Sequence, residues 1–163
     1  MDSVQCRDNL MASNLVLLLA MIATALPAGR AVWTWLGENP NSVSGPVFVE
    51  FFQARDRGIA VPMAITGLGA ILLTGLSAFL VRSNRVAMYL LIIACLLSAA
   101  GAFVTIVFHL PINAEIASWN PAALPPEYRE YLQDWWRWHH VRLITTVASM
   151  ITMFIAVLVR APR

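Results

Sequence analysis

Leu80, Val81, Arg82, Ser83, Asn84, Arg85, Val86 and Ala87 are the residues on which the fold turns. Within them only Arg82 to Arg85 separate two apolar windows, Ile59 to Val81 and Val86 to Leu110. Each window is long enough to cross a hydrocarbon core, which takes roughly 20 apolar residues at about 1.5 Å each. So short a connection forces the two to be antiparallel neighbours. Outward from this pair lie two more windows, one from Asn14 to about Leu36 and one from His139 to Val159. The chain therefore reads as an all-α integral membrane four-helix bundle running up, down, up, down. Its helices fall at about 14–36, 59–81, 86–110 and 127–160, in a single transmembrane domain over 1–163.

Composition agrees. Hydrophobic residues make up 59% of the chain and charged residues 12%, whereas a soluble domain carries about 25% charged residues. All the basic side chains are arginine, and a scattered net charge of +2 gives no nucleic-acid footprint. Cys6 lies in a polar leader and Cys95 in the middle of an apolar run, so no disulfide framework and no cysteine metal site is expected. Arg7 followed by apolar residues as far as Pro27 and Ala28 resembles a signal peptide. The run continues through Ala31, Val32, Trp33 and Trp35, which favours a retained helix.

An even number of spans puts both termini and the Arg82 to Arg85 turn on one face, with Arg7, Arg82, Arg85, Arg160 and Arg163. The opposite face carries Glu38, Glu50, Asp56, Glu115, Glu127, Glu130 and Asp134. The excess of arginine predicts cytoplasmic termini. Between the first two spans, Pro46 to Arg57 reads as a short amphipathic helix at the membrane interface. It would set Val47, Phe48, Phe51 and Phe52 against Glu50, Gln53 and Arg57. Pro111, Pro121, Pro125 and Pro126 are expected to interrupt the chain over 110–126. The last helix then starts near Pro126 and runs unbroken to Arg160, about 50 Å, protruding from the bilayer. Gly67, Gly69 and Gly75 with Ala64, Ala70 and Ala78 suit close packing in the second span, with Pro62 in its first turn.

The chemistry concentrates where the fourth helix enters the membrane, over Asp134, Trp135, Trp136, Arg137, Trp138, His139, His140, Val141 and Arg142. Indoles favour this interface, and anchoring alone would explain Trp136 and Trp138. Residues three, four and seven apart share a helix face, which places Tyr128, Tyr131, Trp135, His139 and Arg142 on one stripe, continued by Thr145, Thr146, Ser149 and Thr152. Lipid offers these groups no hydrogen bonds, so the stripe must face the bundle interior. His140 falls on another stripe with Leu143, Ile144 and Val147. The Arg142 charge needs an acceptor, and Glu50, Glu115, Asp134 or a bound anion could supply one, as a structural ion pair or as a substrate contact. The third helix brings Thr105 and His109 to the same level, followed by Pro111, Ile112, Asn113 and Glu115, so that His109 and Asn113 can meet His139 and Arg142.

The run from His109 to Ile116, with Pro111 and Asn113 as a P-x-N element, is followed by Trp135, His139 and Arg142 in the pattern W-x3-H-x2-R. In these elements and in its architecture the chain resembles the anthrone oxygenase-like family of small four-helix membrane proteins, once known only as a domain of unknown function. The resemblance implies oxidation of polyketide anthrones by molecular oxygen, with O2 as co-substrate and no metal or flavin. It implies His139 or His109 as base, Arg142 as the cation for an enolate oxygen, Asn113 as hydrogen-bond donor and Trp135 stacked on a flat aromatic substrate. Trp138, Tyr131, Glu50 and Glu115 complete the candidate substrate contacts.

Two other classes remain open. His109 and His139, with His140, could ligate copper or haem iron in a membrane oxidoreductase. A non-enzymatic membrane subunit, lipid-binding protein or transporter component, alone or as a homo-oligomer in the bilayer, would use the same polar stripe for docking.

Overall fold

The computed structural model of the protein describes residues 3–160, leaving Arg163 and the side chain of Cys6 outside the described residues. Its elements are α1 (Ser3–Gly37), α2 (Gly45–Leu80), α3 (Arg85–Val104), a π-helical turn (Thr105–His109), α4 (Leu110–Ser118) and α5 (Tyr128–Arg160). Because α3, the π turn and α4 run on as one helical span, Arg85–Ser118, four long apolar rods result. They pack in the cyclic order α1, α2, α3, α5, with α5 closing back on α1. This is the up-and-down four-helix bundle of a multi-pass membrane protein.

The turn between α2 and α3 is as tight as expected. The Asn84 N–H reaches Val81 O at 2.9 Å, and the Asn84 side chain accepts from the Ala87 N–H at 3.1 Å, capping α3. At the same end, Arg160 donates to Asn14 Oδ1 and Ser13 Oγ, both at 2.9 Å, which ties the last helix to the first.

Two helices are longer than their sequences suggested. No separate interfacial helix forms over 46–57, because α2 is continuous from Gly45 and Pro62 lies in its interior. The Phe48 and Phe52 face that was expected to lie on the membrane is buried instead against Trp135 and Ile116. Pro111 likewise fails to end the third span. Proline in a regular helix clashes with the carbonyl four residues back, but here the Leu110 N–H bonds to Thr105 O, a five-residue step. That wider turn precedes Pro111, and the helix passes through it to Ser118. Consequently all four rods, at 33–36 residues, run to about 50 Å, and protrusion is not peculiar to α5.

The core has two parts. Near the termini Leu17, Ala20, Ala78, Leu91, Ala94, Met153 and Ala156 make a small-residue core that lets the helices approach closely. Between α3 and α5 the approach is close enough that a Cβ on Gly101 would meet Thr145 Oγ1 and Thr146 Cγ2 at 3.2 Å. Gly69 and Gly75 face α1 and α3 at ordinary contact distances, whereas Gly67 has nothing within 4 Å and Ala64 is exposed, so only part of the expected glycine face packs. Cys95 is free and donates to Ile71 O at 3.4 Å. At the distal end, opposite the termini, Phe48, Val49, Phe52, Ile116, Trp119, Leu132 and Trp135 form an aromatic core.

Candidate functional site

From Arg142 to Arg160 is 18 residues, about 27 Å of helix, and from Leu10 to Arg30 is about 30 Å. Either length matches the hydrocarbon core of a bilayer, roughly 30 Å. Arg142 and Arg30 thus mark the distal boundary of the membrane, and the aromatic core sits above it.

At that boundary His139 is fully buried and bonded on both sides. Its Nε2 meets Ala31 O of α1 at 3.1 Å, and its Nδ1 meets an Arg142 amino group at 3.0 Å. A carbonyl can only accept and a guanidinium can only donate, so His139 is the neutral tautomer with its proton on Nε2 and its Nδ1 lone pair occupied. The ring lies nearly parallel to those of Trp135 and Trp136, with centroids at 5.8 and 5.4 Å.

His109, on the π turn, is equally buried, yet neither ring nitrogen has a hydrogen-bond partner among the described residues. Its ring stands edge-on to Trp135 at 5.9 Å and to His139 at 6.5 Å. Leaving a buried imidazole unsatisfied costs about 1–3 kcal/mol, which makes His109 a candidate for contact with a ligand. The π turn itself fits that reading, since such turns concentrate at functional sites.

Trp135 joins the two histidines to the cap. Its indole N–H donates to Asn113 Oδ1 at 3.1 Å, and the Asn113 amide donates in turn to Asp56 Oδ1 at 3.3 Å. Phe48 and Phe52 close on it edgewise at 5.6 and 5.9 Å. With 1% of its surface exposed, Trp135 offers no open face for a flat substrate in this conformation, contrary to the stacking role that sequence implied. Asn113 is engaged at both ends of its amide and acts here as a tether for Trp135.

The remaining expected residues are dispersed. Glu50 is exposed, and Glu115 is exposed and accepts from Trp119 Nε1 at 3.2 Å. Asp134 pairs on the surface with Arg137 at 3.1 Å. None of the three meets Arg142, whose only side-chain partner among the described residues is His139. Tyr131 packs edge-on to Trp119, and Trp138 stacks on Phe108. His140 turns back to donate from Nδ1 to Trp136 O, 2.8 Å away on its own helix. A bis-histidine metal or haem site would require His139 to release one of its two bonds, and no group of three His, Cys, Asp or Glu is placed to hold a metal ion among the described residues.

An ion cluster that sequence reasoning missed completes the site. Glu38, just past the end of α1, pairs with Arg30 at 2.7 Å and with Arg55 of α2. The Arg55 guanidinium lies 4.8 Å over Phe52 and 5.8 Å over Trp135. Arg30, Arg55 and Glu38 are all close enough for their charges to act on Arg142. Arg30 could have been found from sequence, being an arginine inside an apolar window that itself carries no acid.

These observations define a small multi-pass membrane protein whose histidine and arginine centre is enclosed at one end of a four-helix bundle. The chain belongs to the anthrone oxygenase family, which matches residues 51–152, more than half of its length. The match includes His109, Asn113, Trp135, His139 and Arg142 and stops short of Arg30 and Glu38. No curated protein and no solved structure matches the chain.

Proposed function

We propose that the protein is a membrane-embedded oxygenase that converts an anthrone-type aromatic substrate to the quinone with O2 and without a bound cofactor. The observation that carries this reading is the presence together of a buried imidazole, His109, and an arginine, Arg142, the first without a hydrogen-bond partner and the second without a carboxylate among the described residues. His139 has no free lone pair, so the base is His109. It takes a proton from the acidic methylene of the anthrone, and Arg142 stabilises the enolate oxygen. The electron-rich enolate reduces O2, the resulting carbon-bound peroxide is protonated, and loss of the second methylene proton with O–O cleavage releases water and leaves the second carbonyl. One anthrone and one O2 thus give one quinone and one water. His139 is a positioning residue, holding Arg142 against α1, and Trp135 fixes both histidines.

The arginines at the end that holds Arg7, Arg82, Arg85 and Arg160 favour cytoplasmic termini, with the site on the opposite side of the membrane. The aromatic cap and the bilayer both suit a hydrophobic aromatic small molecule arriving from lipid.

Oxygen uptake by the purified, chelator-treated protein with a hydroxylated anthrone tests the reading. Quinone formation is expected to persist without metal, and to fall in His109→Gln and Arg142→Gln by about 100-fold or more, the usual weight of general-base or electrostatic catalysis. Uptake at the spontaneous rate from folded protein would refute it, as would restoration by added copper or haem. Retained turnover in His109→Gln would move the base elsewhere.

A further inference from the structure

The charges at the site do not balance within the protein. Arg30, Arg55 and Arg142 bring three guanidiniums to the membrane boundary. Glu38 uses Oε1 on Arg30 and Oε2 on both Arg30 and Arg55. The remaining carboxylate, Asp56, is bonded to the Asn113 amide and pairs with no arginine among the described residues. Counting both acids, one positive charge is left unmatched. Where water is scarce, an uncompensated arginine is expensive, and a bound anion is the ordinary remedy.

Unfilled hydrogen-bonding positions point the same way. Among the described residues the buried Arg55 Nε has no acceptor, and neither nitrogen of His109 has a partner. Arg55 and His109 both lie against the Trp135 ring, at 5.8 and 5.9 Å from its centroid, so the unsatisfied groups share one aromatic neighbour.

Resting on the oxygenase reading, we propose that the substrate is an aromatic acid that enters as a monoanion, its carboxylate received by Arg55 on the side of the site away from the reacting ring carbon. A bound carboxylate brings the site to neutrality. Proton transfer from the methylene to His109 then creates an enolate and an imidazolium together, so the total charge stays at zero through the chemical step. A neutral anthrone would leave the excess positive charge in place, opposing the formation of a cationic His109. The same anionic chemistry could come from a lipid phosphate, but the side chain of Arg55 is only 15% exposed and lies against Phe52 and Trp135, which suits a flat acid better than a headgroup at the rim.

The test is equilibrium binding of anthraquinone-2-carboxylate against anthraquinone-2-carboxamide, using the protein in phosphatidylcholine nanodiscs with empty discs subtracted. These quinones are already oxidised, so the result is independent of turnover. The expected carboxylate preference is about 10-fold, the margin of a charge-assisted over a neutral hydrogen bond. It should collapse in Arg55→Gln with carboxamide affinity retained. Where that variant is poorly folded, Glu38→Gln/Arg55→Gln removes the pair together and should abolish the preference equally. Equal binding of the two quinones by the parent protein would overturn the proposal, as would a preference surviving both variants. So would loss of the preference when phosphatidylglycerol replaces phosphatidylcholine, which would make a lipid headgroup the occupant. Carboxylate preference without oxygen uptake would refute the oxygenase reading alone; uptake without the preference would refute only the acid.

Discussion

Replacing Glu38 by Gln keeps its volume and removes one charge, and the structure makes the consequence large. Among the described residues the carboxylate is the only acid paired with either guanidinium, its side chain is 4% exposed, and theirs are 19% and 15% exposed. It also stands one residue beyond α1, at the end of the helix dipole that disfavours an acid, so the arginines must hold it there. Breaking a buried pair by removing one partner costs about 3–5 kcal/mol. The partial exposure of both arginines places Glu38→Gln near the lower end, about 3 kcal/mol. Reversible unfolding in mixed micelles, followed by tryptophan fluorescence, measures it. The double variant Glu38→Gln/Arg55→Gln should recover at least about 1 kcal/mol relative to the sum of the single changes, because it removes a cation along with its anion. A single-variant loss below about 0.5 kcal/mol, typical of an exposed surface ion pair, would refute the argument that this cluster is desolvated. The charge count behind the proposed acid would fall with it.

Trp135→Phe keeps the aromatic contacts with Phe48, Phe52 and His139 but deprives Asn113 Oδ1 of its donor; a loss of about 1–3 kcal/mol is expected in the same unfolding measurement. A loss of oxygen uptake exceeding that of stability would confirm that the tether positions the histidines. Gly101→Ala places a methyl 3.2 Å from Thr145 and Thr146 between α3 and α5, and should lower the thermal midpoint through overpacking of about 1–3 kcal/mol. Gly67→Ala, with open space around it, should leave the midpoint unchanged.

Much of the fold was legible in the residues because lipid imposes a simple rule. A span must satisfy its own backbone and be about 20 apolar residues long, so windows and connections alone set the number of helices and their order. The polar stripe was legible for the same reason. Tyr131, Trp135, His139, Arg142 and Ser149 all turn inward, Trp135, His139 and Ser149 to full burial, and Ser149 donates to Ala94 O at 2.7 Å. Helix ends were harder, since Pro62 and Pro111 read as boundaries when judged locally. The Phe48 and Phe52 face gains more from Trp135 than from an interface, and a π turn accommodates Pro111.

The partners of the charged groups were beyond sequence. Arg142 could be assigned to the interior by its position on the helix, but three nearby acids were equally good candidates by spacing, and none is its partner. Sequence by itself determined a four-helix membrane bundle, its inward stripe and the histidine and arginine residues that meet at one end, because helical period and lipid solvation act along the chain. Only the tertiary structure decided that His139 is held on both sides while His109 is not. It alone brought Arg30 and Arg55 to one carboxylate, Glu38, because this is a distance between helices, set by how side chains pack across the bundle and invisible to any periodicity within one.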